Sequence, residues 1–261
     1  GYMALLRNLR NFDEQKVSNP VANKVAAKLA DPDEVARSRQ LIFRFYSAYK
    51  NAPSLRWGNA LEQAMDYATL NIPVLGGKTL ILVDTSASMT SVGYSARSTA
   101  SPVETAALFG AALAKSGQDV DLRMFASYVA DHKFPKGGSV LSTADSLVKR
   151  IGEVGHGTDI GGALDSWNGQ DRVIILTDMQ TQSSVGRGSN ASTRGYYGGR
   201  SGGSQIPLNV PIYGFNLAGY AGSQIDTENN MYEFGGLTDA TFKMITALEA
   251  GRNAAWPWET K

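Results

Sequence analysis

Cysteine is absent from this chain of 261 residues, and histidine occurs only twice. The lack of cysteine excludes disulfide bonds, thiol nucleophiles and cysteine-based zinc sites. It also fits a reducing compartment, and we expect the protein to be cytoplasmic. Neither His132 nor His156 stands in a recognisable catalytic triad pattern, so a serine nucleophile such as Ser86 lacks an identifiable base.

Long apolar runs and a strong net charge are also missing. No stretch approaches the roughly 20 residues of a membrane-spanning helix, and we expect no membrane association. The formal net charge is +1. Residues 1–79 hold 11 Lys and Arg against 7 Asp and Glu, whereas the remainder holds 14 against 17. A solvated basic face explains this mild asymmetry about as well as a polyanionic partner does.

The first 72 residues have the pattern of helices. Leu5, Leu6, Leu9 and Phe12 recur at helical spacing in the opening segment, which lacks the apolar block of a signal peptide. Two further helix starts are predicted where a capping residue precedes proline, before Pro20 and before Pro32. We therefore expect residues 1–76 to form a helical extension, cut from a longer chain.

From residue 78 onward, short apolar runs alternate with helical stretches. The runs are KTLILVD, DVDLRMFA, RVIILTD and NVPIYGFNL. Near-continuous apolar strands that alternate with helices indicate a parallel sheet covered on both faces. For residues 77–261 we predict an α/β fold with a Rossmann-like, doubly wound and mostly parallel sheet.

Oxygen-bearing side chains follow the predicted strands at one edge of this sheet. Asp84, Ser86 and Ser88 follow the first strand, Asp178 follows a later one, and Thr158 lies on a glycine-lined loop that enters a helix. In such a sheet, ligands bind outside the carboxyl ends of the strands. Carboxylates and hydroxyls are hard oxygen donors that suit Mg²⁺, with Mn²⁺ and Ca²⁺ as alternatives.

This set of residues resembles the metal-ion-dependent adhesion site of von Willebrand factor A domains. All five positions of that motif are present in the family's order: Asp84, Ser86, Ser88, Thr158 and Asp178. The resemblance implies that the two serines and the threonine contact the metal directly and that the aspartates act through water. It also implies that a partner's acidic group completes the coordination shell. Asp159, by contrast, is predicted to be a helix-start charge.

The flanking segments resemble the C-terminal half of TROVE-module proteins, the Ro autoantigen family and its bacterial orthologues. The resemblance rests on MALLRNLRNF, RWGNALEQAMDYA and LILVDTSASM. It implies a ring of helical repeats closed by an A domain, which binds Y-type RNAs outside and misfolded RNA ends in its hole. Residues 1–72 would then be the last repeats of that ring.

A glycine-rich segment, residues 185–204, follows Asp178 where the family usually has a helix. Seven of its twenty residues are glycine, which predicts a mobile loop. Its arginines and tyrosines are candidates for RNA contact through charge and stacking, although a disordered linker is the simpler interpretation. These candidates are Arg187, Arg194, Tyr196, Tyr197 and Arg200.

The resulting functional hypothesis is a cation-binding A domain, without catalytic residues, of a monomeric Ro-type protein in noncoding RNA quality control. Its metal site would bind an acidic protein group, or alternatively an RNA phosphate. One alternative is an A domain for metal-dependent protein adhesion without an RNA role. A metal-dependent hydrolase is a weaker alternative, because a second metal cluster and a credible general base are not evident.

Overall fold

The fold is described from a computed structural model. The residues that it describes are 1–40, 42–52, 54–90, 100–116, 119–133, 137–180, 206–218, 225, 229–236 and 239–251. The predicted candidates for RNA contact and the rest of the 185–204 segment lie outside these residues.

The helical character predicted for residues 1–72 is confirmed. The five α-helices described there are α1 (Tyr2–Glu14), α2 (Asn19–Leu29), α3 (Pro32–Ser38), α4 (Ile42–Asn51) and α5 (Gly58–Ala68). The start of α3 has its predicted cap, since the Asp31 side chain accepts hydrogen bonds from the backbone N–H groups of Asp33 and Glu34.

The remaining elements include both strands and helices. In chain order they are β1 (Lys78–Asp84), α6 (Pro102–Lys115), β2 (Asp119–Phe125), β3 (Val129–Asp131), α7 (Val140–Val148), α8 (Ile160–Leu164), β4 (Arg172–Thr177), β5 (Ile212–Asn216), β6 (Met231–Gly235) and α9 (Asp239–Ala250). None of the described helices is long and apolar enough to cross a membrane.

The described strands form one six-stranded sheet in the order β3-β2-β1-β4-β5-β6. Every neighbouring pair is parallel except β2 and β3, which run antiparallel. From β1 the chain places β2 on one side and β4 on the other. The direction in which strands are added therefore reverses at β1, which marks the switch point of a doubly wound sheet. The predicted Rossmann-like, mostly parallel α/β fold is confirmed, and the carboxyl end of β1 lies at the switch point.

Both faces of the sheet are covered, as the apolar runs predicted. Along β1, Ile81 and Val83 belong to one buried cluster, and Leu80 and Leu82 belong to a second cluster on the opposite face. This alternation buries every residue of β1 after Lys78. It also places Asp84 on the same face as Leu80 and Leu82, because side chains two residues apart point to the same side.

Helix α6 lies between the sheet and the N-terminal helices. A Cβ atom added at Gly110 would be 2.8 Å from Val83 Cγ2 on one side. On the other side, Phe109 stacks on Phe43 of α4 with ring centroids 5.1 Å apart. Eleven of its 14 residues are buried. The N-terminal helices therefore share a hydrophobic core with the first face of the sheet.

Candidate metal site

The carboxyl end of β1 carries the Asp84-Ser86-Ser88 string. Asp84 is the last residue of the strand and is completely buried. Its Oδ1 accepts a hydrogen bond from the Ser86 backbone N–H at 2.8 Å, so the chain turns back directly beside the carboxylate. The hydroxyl oxygens of Ser86 and Ser88 lie 3.2 Å apart. A carboxylate and two hydroxyls thus form one compact group of oxygen atoms.

The carboxyl end of β4 adds a second carboxylate. Asp178 directly follows the strand, is only 1% exposed, and accepts a hydrogen bond from the Gln180 backbone N–H at 3.0 Å. The strand's last residue, Thr177, donates its hydroxyl to Asp84 Oδ2 at 2.5 Å. The ends of β1 and β4 are therefore joined side chain to side chain.

The loop before α8 brings Thr158 to the same edge. Gly155 in this loop has a φ of +88°, and a Cβ atom there would be 2.7 Å from Ser127 Oγ. The same Ser127 oxygen accepts a hydrogen bond from the Gly157 backbone N–H at 3.0 Å. The loop thus packs closely on the turn after β2, which only glycine at position 155 permits without strain.

Backbone hydrogen bonds connect this loop to the segments that follow β1 and β2. The Ala87 N–H donates to the His156 carbonyl at 3.1 Å, and the Asp159 N–H donates to the Ala126 carbonyl at 2.9 Å. Thr158 lies between these two anchored positions and is 9% exposed. The structure thus brings the segments that carry all five predicted ligands to one edge of the sheet.

The charges at this edge are unbalanced within the described part of the chain. Neither Asp84 nor Asp178 forms an ion pair with a described basic side chain. Burial raises the pKa of Asp84 to about 6. Hydrogen bonds from Thr177 and Ser86 oppose this rise, whereas the charge of Asp178 adds to it. A bound cation would offset the unfavourable burial of these two carboxylates.

The donor set fits a hard divalent cation. Among the described residues, no group of three or more His, Asp or Glu side chains is placed to hold a metal ion. A cation here would therefore depend on hydroxyl oxygens in addition to Asp84 and Asp178. Mg²⁺ suits such a set because it commonly uses one or two carboxylates and retains several waters. Asp159 has another role: it caps α8 by accepting a hydrogen bond from the Gly162 N–H at 2.9 Å.

The two histidines do not supply a base for Ser86 in this geometry. His132 lies beside Ser146, with Nε2 2.9 Å from the Ser146 oxygen, and its Nδ1 lies 3.0 Å from an Arg150 nitrogen. Arginine only donates hydrogen bonds, so Nδ1 accepts and the proton resides on Nε2. Nε2 therefore cannot take a proton from Ser146. His156 is exposed, and its ring lies near Gly152.

Two polar residues at this edge are absent from the predicted ligand set. Thr177 contacts Asp84 directly, and Ser127 anchors the loop that carries Thr158. The position of Thr177 next to Asp178 at a strand end was a usable signal, because neighbouring parallel strands end at the same edge. Ser127 has no such signal in the sequence, since its role depends on contact with a loop 30 residues away.

The helical extension matches a known family. Residues 1–55 match the family model of the TROVE domain. The predicted resemblance to the TROVE family is confirmed. This TROVE segment, residues 1–55, comprises α1 to α4, and the predicted boundary at residue 76 stays a prediction.

One solved structure supports the fold over most of the chain. The chain is similar to the Ro protein of Deinococcus radiodurans, with a TM-score of 0.64 and 19% identity over 92% of this chain and 51% of that chain. It therefore spans about half the length of that protein. A proximal thread matrix protein from the mussel byssus matches with a TM-score of 0.33 and 14% identity, covering 75% of this chain and 50% of that one. No curated protein sequence gives a significant match.

Proposed function

We propose that this chain is the cation-binding part of a Ro-type RNA-binding protein that acts in noncoding RNA quality control. A divalent cation, Mg²⁺ in the first place, would be held by Asp84, Ser86, Ser88, Thr158 and Asp178. An acidic group of a partner would complete its coordination. In this proposal the domain binds its partner without catalysing a reaction.

The observation that carries the proposal is the burial of Asp84 and Asp178 together without a basic partner among the described residues. Two buried carboxylates close enough to influence each other are costly unless a positive charge compensates them. The hydroxyls of Ser86 and Ser88, 3.2 Å apart, add neutral oxygen ligands without further negative charge. The carboxylates would thus supply negative charge to the cation, and the hydroxyls would supply additional oxygen ligands.

The chain's own residues orient the proposed ligands before binding. Asp84 is held from two sides by the Ser86 backbone and the Thr177 hydroxyl, so its carboxylate has little rotational freedom. When bound, the cation would supply positive charge and an open coordination position for the partner's acidic group. Such prior ordering lowers the entropy lost on binding.

A protein carboxylate fits this site better than an RNA phosphate. The described site segments, residues 84–90, 155–159 and 178–180, contain three aspartates and neither lysine nor arginine. One carboxylate adds a single negative charge to this edge, whereas an RNA strand adds one for every nucleotide. We therefore assign the RNA role to the TROVE module and the acidic protein group to the cation site.

Calorimetry with Mg²⁺ tests the site. We expect binding by the wild type and no measurable binding by Asp84→Ala, because the central buried ligand is lost. Asp119→Ala is the matched control: Asp119 is a strand residue at the opposite end of the sheet, where it lies 3.7 Å from Lys78. Equal Mg²⁺ binding by the wild type and Asp84→Ala would overturn the assignment.

Filter binding tests the RNA role against an adhesion domain without one. We expect the parent protein to bind structured and single-stranded RNA with an affinity that falls steeply with salt, because phosphate contacts release counterions. Binding that is absent at every salt concentration would favour metal-dependent protein adhesion.

A further inference from the structure

One hydroxyl connects both buried carboxylate segments of the proposed cation site. It belongs to Thr177, the last residue of β4, which is completely buried. The strand register pairs Val83 with Leu176, so the next residues, Asp84 and Thr177, are neighbours at the ends of β1 and β4. Thr177 is therefore placed beside Asp84 by the sheet itself.

The hydroxyl proton of Thr177 has a defined direction. Thr177 Oγ1 lies 2.5 Å from Asp84 Oδ2 and 3.2 Å from the Met179 backbone nitrogen. The Met179 N–H donates to the hydroxyl oxygen, and the ionised carboxylate only accepts. The Thr177 hydroxyl consequently donates its single proton to Asp84, in a charge-assisted hydrogen bond.

This bond leaves the Asp84 carboxylate with fixed orientation and free lone pairs. Oδ1 accepts from the Ser86 N–H and Oδ2 accepts from Thr177. The two oxygens have four lone pairs, so with these donors and the Ser86 side chain at least one lone pair remains for a cation or for a water bound to it. The Ser86 side chain also hydrogen-bonds Asp84, but Ser86 is itself a proposed ligand. Thr177 is therefore the side-chain donor that can be removed without removing a proposed ligand.

The second bond of the same hydroxyl stabilises the turn that carries Asp178. Met179 has a φ of +61°, in the left-handed region that residues other than glycine rarely adopt. The bond from its N–H to Thr177 compensates part of this strain. Asp178, between these two residues, is thereby held next to Asp84.

We propose that Thr177 is a positioning residue for the cation: its hydroxyl holds the Asp84 carboxylate and the Asp178 turn in the geometry that binds. This inference rests on the proposed function, because it presupposes a cation at this edge. Thr177 itself donates its single proton to Asp84 and accepts from the Met179 N–H, and it is not a ligand in this scheme.

The test measures Mg²⁺ affinity by calorimetry in the full chain. Thr177→Val keeps the shape of the side chain and removes the hydroxyl, and we expect the Kd for Mg²⁺ to rise about 10- to 100-fold. Thr177→Ser keeps the hydroxyl and should restore an affinity close to that of the wild type. Thr143→Val is the matched control, since Thr143 is equally buried but its hydroxyl has no hydrogen-bond partner among the described residues.

A second measurement separates positioning from general stability. Urea unfolding of each variant with EDTA gives the stability of the metal-free fold. If Thr177→Val loses stability in EDTA but keeps the wild-type Kd, the residue is merely structural and the inference is wrong. If Thr177→Val does not fold, Thr177→Ala removes the same hydroxyl with less bulk, and the same comparison applies.

The outcomes distinguish this inference from the proposed function. Mg²⁺ binding by the wild type, its loss in Asp84→Ala and unchanged binding in Thr177→Val would overturn the role of Thr177 alone. A wild type that binds no Mg²⁺ would overturn both proposals.

Discussion

Both ends of the β1–β4 strand pair place a buried charged residue next to a threonine, but the two charges are balanced differently. At the amino end, Thr79 pairs in register with Arg172, and at the carboxyl end Asp84 lies beside Thr177. Each end thus places a buried charge next to a threonine on the neighbouring strand. Arg172 donates through Nε and Nη2 to both carboxylate oxygens of Glu249, at 2.7 and 2.9 Å.

The difference lies in the counter-charge. The guanidinium of Arg172 is neutralised by Glu249 of α9, donates to Thr79 at 2.8 Å and reaches the Gly76 carbonyl, so its donors are used within the fold. At the other end, Asp84 receives only neutral donors among the described residues. A charge balanced inside the fold indicates a structural role, whereas an unbalanced pair of buried carboxylates indicates a ligand from outside.

The largest loss of stability should come from removing the counter-charge of Arg172 at the amino end. We expect Glu249→Ala to lower the free energy of unfolding by about 3 kcal/mol, because it leaves the Arg172 guanidinium buried without a counter-charge. Urea unfolding in EDTA measures this loss. The double variant Arg172→Met with Glu249→Leu removes both charges and should recover most of the stability. A loss below about 1 kcal/mol in Glu249→Ala would equate this ion pair with an exposed one.

Mg²⁺ should increase the free energy of unfolding only when the carboxylates at the carboxyl end of the strand pair are intact. At a Mg²⁺ concentration 100 times the Kd, mass action raises the free energy of unfolding of the wild type by about 2.7 kcal/mol. Asp84→Asn keeps the side-chain shape but loses the charge, so we expect Mg²⁺ to leave its stability unchanged. Paired urea titrations with Mg²⁺ and with EDTA measure the difference. Equal stabilisation of both proteins would place the cation elsewhere.

A substitution in the loop that carries Thr158 should cause an intermediate loss of stability, and it alters only the carboxyl edge of the sheet. Gly155→Ala should destabilise the fold by about 2 kcal/mol, because it combines a φ of +88° with a Cβ only 2.7 Å from Ser127 Oγ. Gly137→Ala is the control, since Gly137 has a φ of +73° with no atom within 4 Å of the added Cβ. It should lose about 1 kcal/mol through backbone strain only. Thermal unfolding of both variants checks the order.

A small pH effect should arise at His132, which lies away from both ends. Burial first and then the charge of Arg150 lower the pKa of His132, while Glu153 opposes this change. The unfolded chain therefore binds a proton more readily than the folded one, and stability falls as the pH drops below the usual value of about 6.5. Urea unfolding between pH 7.5 and 5 should show a shallower fall for His132→Gln. Parallel curves for both proteins would contradict this.

The sequence was sufficient for the strands with apolar runs and for the edge where their polar ends meet. Buried strands must be apolar on both faces, so β1 and β4 could be recognised, and Asp84 and Asp178 followed from where those strands end. Strands β3 and β6 were missed. The first has only three residues, and the second, MYEFG, interrupts its apolar residues with a glutamate and lies at the sheet's edge.

The contacts that hold the two ends together could not be predicted in the same way. Arg172 and Glu249 are separated by 77 residues, and Thr177 and Asp84 by 93. Both contacts depend on the register of the strands and on where α9 packs, which local periodicity does not determine. The same reason explains Ser127, whose function is set by a loop that comes close only in the folded chain.

Helix α6 also couples the stability of the sheet to that of the N-terminal helices. Its Glu104 receives hydrogen bonds from Tyr46 at 3.1 Å and Lys50 at 2.8 Å, and Lys115 at its other end contacts Asp66 of α5. The N-terminal helices hold both ends of α6 and cover its apolar middle. Without them, α6 would expose a large apolar surface to water. We therefore expect a recombinant domain that begins at residue 77 to expose the apolar surface of α6, and the intact chain to unfold as one cooperative unit.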